Sequence, residues 1–143
     1  MPKSDYPYLR GDKIGSLWLR MLRDNVGIAE LNNIDRIPIP VDINIARATL
    51  TTGVVRGEFN RSLYELFKSI REALFESVKG LNVKNRPIIA LDLDEPLWHL
   101  SKNRCTNSDK RKGSFLCLSE CEVKEYCIGG KIKIEKNKVE LNT

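Results

Sequence analysis

Four cysteines, Cys105, Cys117, Cys121 and Cys127, lie within 23 residues, and the preceding 104 positions contain none. Their spacing is C-x11-C-x3-C-x5-C. Thiolate is a soft ligand that selects zinc or iron–sulfur clusters over hard cations. Disulfides that staple a small secreted fold are usually spread along it, so a tight group of thiols reads better as one metal site. A structural zinc site arrives as two close pairs, each spaced by two to four residues. Here only Cys117 and Cys121 are that close. One short knuckle with outlying thiols suits a larger object such as a [4Fe–4S] cubane, which offers four iron corners. Zinc is the alternative metal, and cysteines that are free or disulfide-bonded are the third reading. His99 is the single histidine. It would supplement the thiols, although a lone histidine beside Trp98 is more often a packed surface residue.

Two further groups carry chemical potential. Lys110, Arg111 and Lys112 sit inside the longest inter-cysteine loop. A metal-braced loop would project three cations rigidly toward phosphates, giving affinity without sequence reading. A solvated charge run is the plainer reading. Asp42 follows Ile37-Pro38-Ile39-Pro40-Val41. The prolines force an extended approach, and Asp42 then becomes a helix N-cap that accepts bonds from free backbone N–H groups. A carboxylate at that place is also suited to stabilising developing positive charge.

The elements that must position these groups are mostly helical. Ile14, Leu17, Trp18, Met21 and Leu22 recur at helical spacing and predict an amphipathic helix over 12–24. Gly11 and Gly15 flank its start, where glycine permits a tight turn or close backbone approach. A short helix is expected over 27–34, and another from Asp42 to Gly53. Leu63, Leu66, Phe67, Ile70, Ala73, Leu74 and Val78 hold the clearest helical period, over 61–79, with Gly80 as its C-cap signal. Residues 88–93 are apolar and read equally as a strand or a buried helix segment. Glu95 and Pro96 read as N-cap and N1 of a helix running to about Asn103. Alternation in Lys131–Glu135 and Val139–Leu141 predicts a small β-hairpin around Lys136-Asn137-Lys138.

The expected organisation is therefore a helical domain over 1–104, a four-cysteine loop over 105–130 and a tail over 131–143. A chain of 143 residues is long enough for a core of its own. Lys plus Arg number 24 against 19 Asp plus Glu, a net charge of +5 that fits a polyanionic partner, nucleic acid first. No apolar run approaches a membrane span, and the polar start MPKSDYPYLRGDK has no apolar leader core. Those two features predict no membrane association and a cytoplasmic, nucleoid-associated location.

Several of these residues fall in the order of one known superfamily. Pro96-Leu97-Trp98-His99-Leu100 running into the four cysteines resembles the iron–sulfur cluster loop of endonuclease III-like DNA glycosylases. In that family too a helix enters the first cysteine and five residues separate the last two. Ile39-Pro40-Val41-Asp42-Ile43-Asn44-Ile45-Ala46-Arg47 resembles the segment that carries the family's catalytic aspartate. Leu9-Arg10-Gly11-Asp12-Lys13-Ile14-Gly15 resembles a worn helix-hairpin-helix turn. The resemblance spans about residues 9–127.

The resemblance implies a DNA-binding protein of base-excision repair, with a [4Fe–4S] cluster on Cys105, Cys117, Cys121 and Cys127. It implies hydrolysis of the N-glycosidic bond of a damaged base, with Asp42 as the carboxylate. Gly11, Lys13, Gly15, Arg47, Lys110, Arg111 and Lys112 become expected DNA contacts. Bifunctional members carry a Schiff-base lysine where an ungapped match places Gly15, and Lys13 falls two residues early. A lyase step through lysine is therefore not expected. Asn44 stands where the family often has histidine, and the first two cysteine spacings are longer than usual. Family members have two lobes, the first built largely before the hairpin, and only eight residues precede Leu9 here. Either a second chain or another copy supplies that lobe, docking on apolar helix faces around Trp18 and Phe67, or the chain is a DNA-binding remnant without a complete active site, or it is a fragment. The rival reading is a non-catalytic, metal-stabilised module that binds DNA or a partner.

Overall fold

The computed structural model describes residues 7–55, 62–105, 121–127, 131–135 and 138–142. It is mostly helical, as the periodicity predicts. Helices α1 (Ile14–Asp24), α2 (Ile43–Thr51), α3 (Leu63–Ser77) and α4 (Asp94–Leu100) are the principal elements. Two small antiparallel hairpins accompany them among the described residues: β1 (Asn82–Val83) with β2 (Arg86–Pro87), and β3 (Lys131–Glu135) with β4 (Lys138–Asn142). In the second, Ile132 pairs with Leu141 and Ile134 with Val139, the register that the alternation implies.

The core forms where the proline segment, α2 and α3 meet. Ile39 and Val41 pack with Ile45, Ala46 and Leu50 of α2 and with Leu66, Ile70 and Leu74 of α3. Val78 and Ala90 close its edges. The prolines keep 37–41 extended, so Ile39 and Val41 point to one side, two residues apart, as alternation requires. Helix α3 starts with a capping box: Ser62 Oγ accepts from the Glu65 N–H at 3.3 Å, and Glu65 Oε2 accepts from the Ser62 N–H at 3.2 Å. Gly80 follows its C-terminus at φ +74, in the left-handed region that glycine adopts without strain.

Helix α1 is held differently. Its inner face meets the turn Pro7–Arg10, while Ile14, Trp18 and Met21 on its outer face are exposed, Trp18 to 47%. Charge pairs anchor it instead: Arg20 to Asp94, Arg23 to Asp92, and Asp12, just before the helix, to Arg71 of α3. Phe67, expected on an open face, packs against the core.

Two local expectations need correction, and one open choice is decided. Residues 27–33 form no helix, and only a 3-10 turn follows, at Ile34–Arg36. Gly27 at φ +77 and Asn33 at φ +58 each take a left-handed conformation that a continuous helix cannot contain. Residues 88–93 contain no strand; of the two readings the helical one holds, because Ala90–Leu93 forms a 3-10 helix with Ala90 and Leu91 buried. That turn leads straight into α4, so the helix begins at Asp94 and Pro96 falls on its third residue. Proline is tolerated there because the N–H groups of the first turn lack helical acceptors anyway. Beyond Leu100 the chain continues as a π-helical segment, Ser101–Cys105.

Candidate functional site

Asp42 caps α2 as the sequence predicts. Its Oδ1 accepts from the N–H groups of Asn44 at 2.8 Å and Ile45 at 3.0 Å. Those bonds fix the carboxylate's rotamer and leave Oδ2 turned outward. Lys13 Nζ lies 3.8 Å from Oδ2. The lysine ends the turn that precedes α1, and its carbonyl accepts from the Leu17 N–H at 3.0 Å. The two side chains lie on an open cavity of about 330 Å³, lined also by Leu17, Arg20, Pro40, Asp94, Glu95, Trp98 and His99. Helices α1 and α4 and the N-terminus of α2 therefore converge on one place.

Charge alternates around this cavity. Arg20 Nε approaches Asp94 Oδ2 to 2.8 Å, with Glu95 and Asp24 at 3.5 and 3.8 Å from Nη1. The Nε–H is not aimed at the oxygen, so the contact is an ion pair rather than a hydrogen bond. Asp94 is only 7% exposed, and burial raises its pKa above the ordinary 3.8 in spite of Arg20. Neighbouring Asp42 and Glu95 push in the same direction, while Lys13 opposes them. Trp98, 37% exposed, presents its ring to the cavity, with His99 edge-on at 5.3 Å and Lys102 Nζ 5.6 Å from the ring centre.

The expected site residues divide into groups. Asp42 and Lys13 meet, although Lys13 stands two residues before the ungapped lysine position. Gly11 is exposed and lines a separate cavity with Leu9, Gly15 and Trp18. Gly15 has a different occupation: a Cβ there would lie 2.7 Å from the Leu9 carbonyl oxygen, and its own N–H donates to the Gly11 carbonyl at 3.1 Å. It lets the Pro7–Arg10 turn cross α1 closely. Arg47 lies half-buried, with Nη1 donating to Ser101 Oγ at 3.3 Å and Asn44 Oδ1 at 3.4 Å. It joins α2 to the π segment. Lys110, Arg111 and Lys112 lie outside the described residues. Sequence reasoning missed Arg20 and Asp94. Their signal was an arginine set between Leu19 and Met21 in the apolar stretch of α1 and an Asp-Leu-Asp-Glu run entering α4.

Of the four cysteines, Cys105 is buried at the end of the π segment, while Cys121 and Cys127 flank the turn Lys124–Tyr126 and are half-buried. Cys117 lies outside the described residues. No disulfide joins the three that are described. Arg104 Nη2 lies 3.8 Å from Glu122 Oε1, which sets the residue before Cys105 beside the residue after Cys121. Soft donors brought onto adjacent segments fit a metal centre in chemistry. Among the described residues no group of three or more His, Cys, Asp or Glu is gathered around one point.

No protein-family model, curated protein or solved structure matches this chain. No helix among the described residues is long and apolar enough to cross a membrane.

Proposed function

We propose that the chain is a DNA-binding protein of the base-excision repair type that cleaves N-glycosidic bonds of damaged bases at the Asp42–Lys13 site. The observation that supports this most is the 3.8 Å approach of Lys13 Nζ to Asp42 Oδ2 on an open cavity beside Trp98. An extruded base needs an aromatic or apolar surface, and a half-exposed indole supplies one. When the glycosidic bond breaks, its electron pair leaves with the base and positive charge develops on the sugar. A carboxylate whose rotamer is already fixed by two backbone N–H groups stabilises that charge without reorganising. Water adding to C1′ completes hydrolysis. Lys13 Nζ supplies the counter-charge to that carboxylate in the resting site.

In the same reading Cys105, Cys117, Cys121 and Cys127 hold a [4Fe–4S] cluster that braces the loop carrying Lys110, Arg111 and Lys112 for phosphate contact. The zinc alternative serves the same bracing role.

A panel of duplexes bearing single damaged bases tests the proposal. Base release by the wild type that disappears in Asp42→Asn supports hydrolysis. Binding without release from any duplex identifies a non-catalytic module and overturns the proposal.

A further inference from the structure

Two cations line the cavity with Asp42, yet only the weaker partner engages it. Arg20 carries a planar fork that matches a carboxylate in two places, whereas Lys13 offers a point charge. On chemistry alone the guanidinium would take Asp42 Oδ2 and displace the amine. Arg20 is instead surrounded by three other carboxylates. Glu95 is largely exposed, and an exposed partner holds weakly. Asp24 is already committed to Arg23, which donates to it through Nε and Nη2. Asp94 is the buried partner and the nearest, at 2.8 Å.

A buried carboxylate at a helix start is ordinarily a cap. Asp94 is not one, since α4 has no side-chain capping bond and its cap position is Leu93. The groups that face Asp94 are Arg20 and Lys13 from the α1 side, Asp42 from α2 and Glu95 from its own helix. Desolvation disfavours its charge, so its position in the fold is unfavourable by itself.

We propose that Asp94 is a positioning residue that holds Arg20 away from Asp42 and so reserves the outer Asp42 oxygen for Lys13. The purpose of that hold rests on the function proposed above, but the hold itself is read without any substrate. Removing the Asp94 charge frees Arg20 to pair with Asp42, and Lys13 then loses its partner.

The test compares full-length wild type, Asp94→Asn, Arg20→Gln and the double variant. The substrate-free readout is acetylation of Lys13 by acetic anhydride, measured by mass spectrometry against the exposed Lys68 and Lys79. Asp94→Asn is expected to raise relative Lys13 labelling about threefold or more, because an amine parted from its carboxylate is no longer covered by it and meets the reagent more freely. The double variant is expected to return labelling to the level of Arg20→Gln, since no guanidinium remains to intrude. The second readout is the Arg20 Nε–Hε resonance of wild type, expected to move as Asp94 takes up its proton above pH 3.8. That measurement stands even if Asp94→Asn does not fold. Base release from damaged duplexes is expected to fall about tenfold in Asp94→Asn and to recover in the double variant. Unchanged Lys13 labelling in a folded Asp94→Asn, or an Arg20 resonance indifferent to pH in that range, overturns the inference. If wild type processes no duplex but the labelling behaves as described, the proposed function fails and the positioning role stands.

Discussion

Replacing Gly15 by alanine sets two opposing effects against each other, and the structure fixes the sign. At an open helix position, alanine stabilises relative to glycine by about 1 kcal/mol. At Gly15 the added methyl would stand 2.7 Å from the Leu9 carbonyl oxygen and 3.8 Å from its carbon. Both atoms are backbone, so no side chain can rotate away. Either the Pro7–Arg10 turn retreats by several tenths of an ångström, or the first turn of α1 tilts. Overpacking of this kind costs about 1–3 kcal/mol. The net expectation for Gly15→Ala is a loss of about 1 kcal/mol in urea unfolding at neutral pH. Gly11→Ala is the control: nothing lies within 4 Å of its added methyl, so its effect should stay within about 0.5 kcal/mol. Because Lys13 shares the strained turn, Gly15→Ala should also widen its approach to Asp42. A Gly15→Ala protein more stable than wild type would refute the close-crossing account.

Other substitutions separate roles that coincide in one residue. Asp42→Ala should cost about 1 kcal/mol of stability through the lost cap, whereas Asp42→Asn keeps an accepting oxygen and loses little; urea unfolding of both variants checks this. The Asp24 carboxyl is held below its ordinary value of 3.8, first by hydrogen bonds from Arg23 and against its burial. Its stabilisation is therefore full above pH 3.8 and lost as pH falls through the lower folded value. Asp24→Asn should be less stable than wild type near neutrality, with the difference closing in acid, as chemical unfolding across pH will show. Asp94 has the opposite sign, its contribution being full below 3.8 and lost as pH rises through its raised value. Anaerobically purified protein should contain iron and acid-labile sulfide with a broad absorption near ~400 nm, lost in Cys105→Ser; a colourless zinc protein would exclude the cluster.

Much of this architecture was legible before any coordinates. The spacing of Leu66, Ile70 and Leu74 marks α3 because those residues share one buried face. The proline pair followed by Asp42 marks the start of α2 because it restricts backbone angles locally. Both signals are short-range. The Lys13–Asp42 approach spans 29 residues and depends on how α1 docks, which no periodicity records. An ungapped match sets Gly15 at the family's lysine position and Lys13 two residues before it, and nothing in that count records that Lys13, at the N-cap of α1, approaches Asp42. Gly15 was legible as a position for a tight turn or a close backbone approach, and the structure selects the second; a glycine for close crossing and a glycine for phosphate approach look alike in one dimension. Trp18 illustrates the converse: its periodicity marks an apolar stripe and says nothing of what meets it.

A π turn houses one residue more than an α turn. The stretch Ser101–Cys105 therefore delivers its final thiol out of phase with the helix that leads into it. Deleting a single residue between Ser101 and Arg104 would let ordinary helical pitch resume and swing Cys105 through about 100°. Chain length, more than residue type, thus governs where that sulfur faces. Exchanges at Lys102 or Asn103, both on the outer side, leave the aim intact, whereas a lost codon turns it aside.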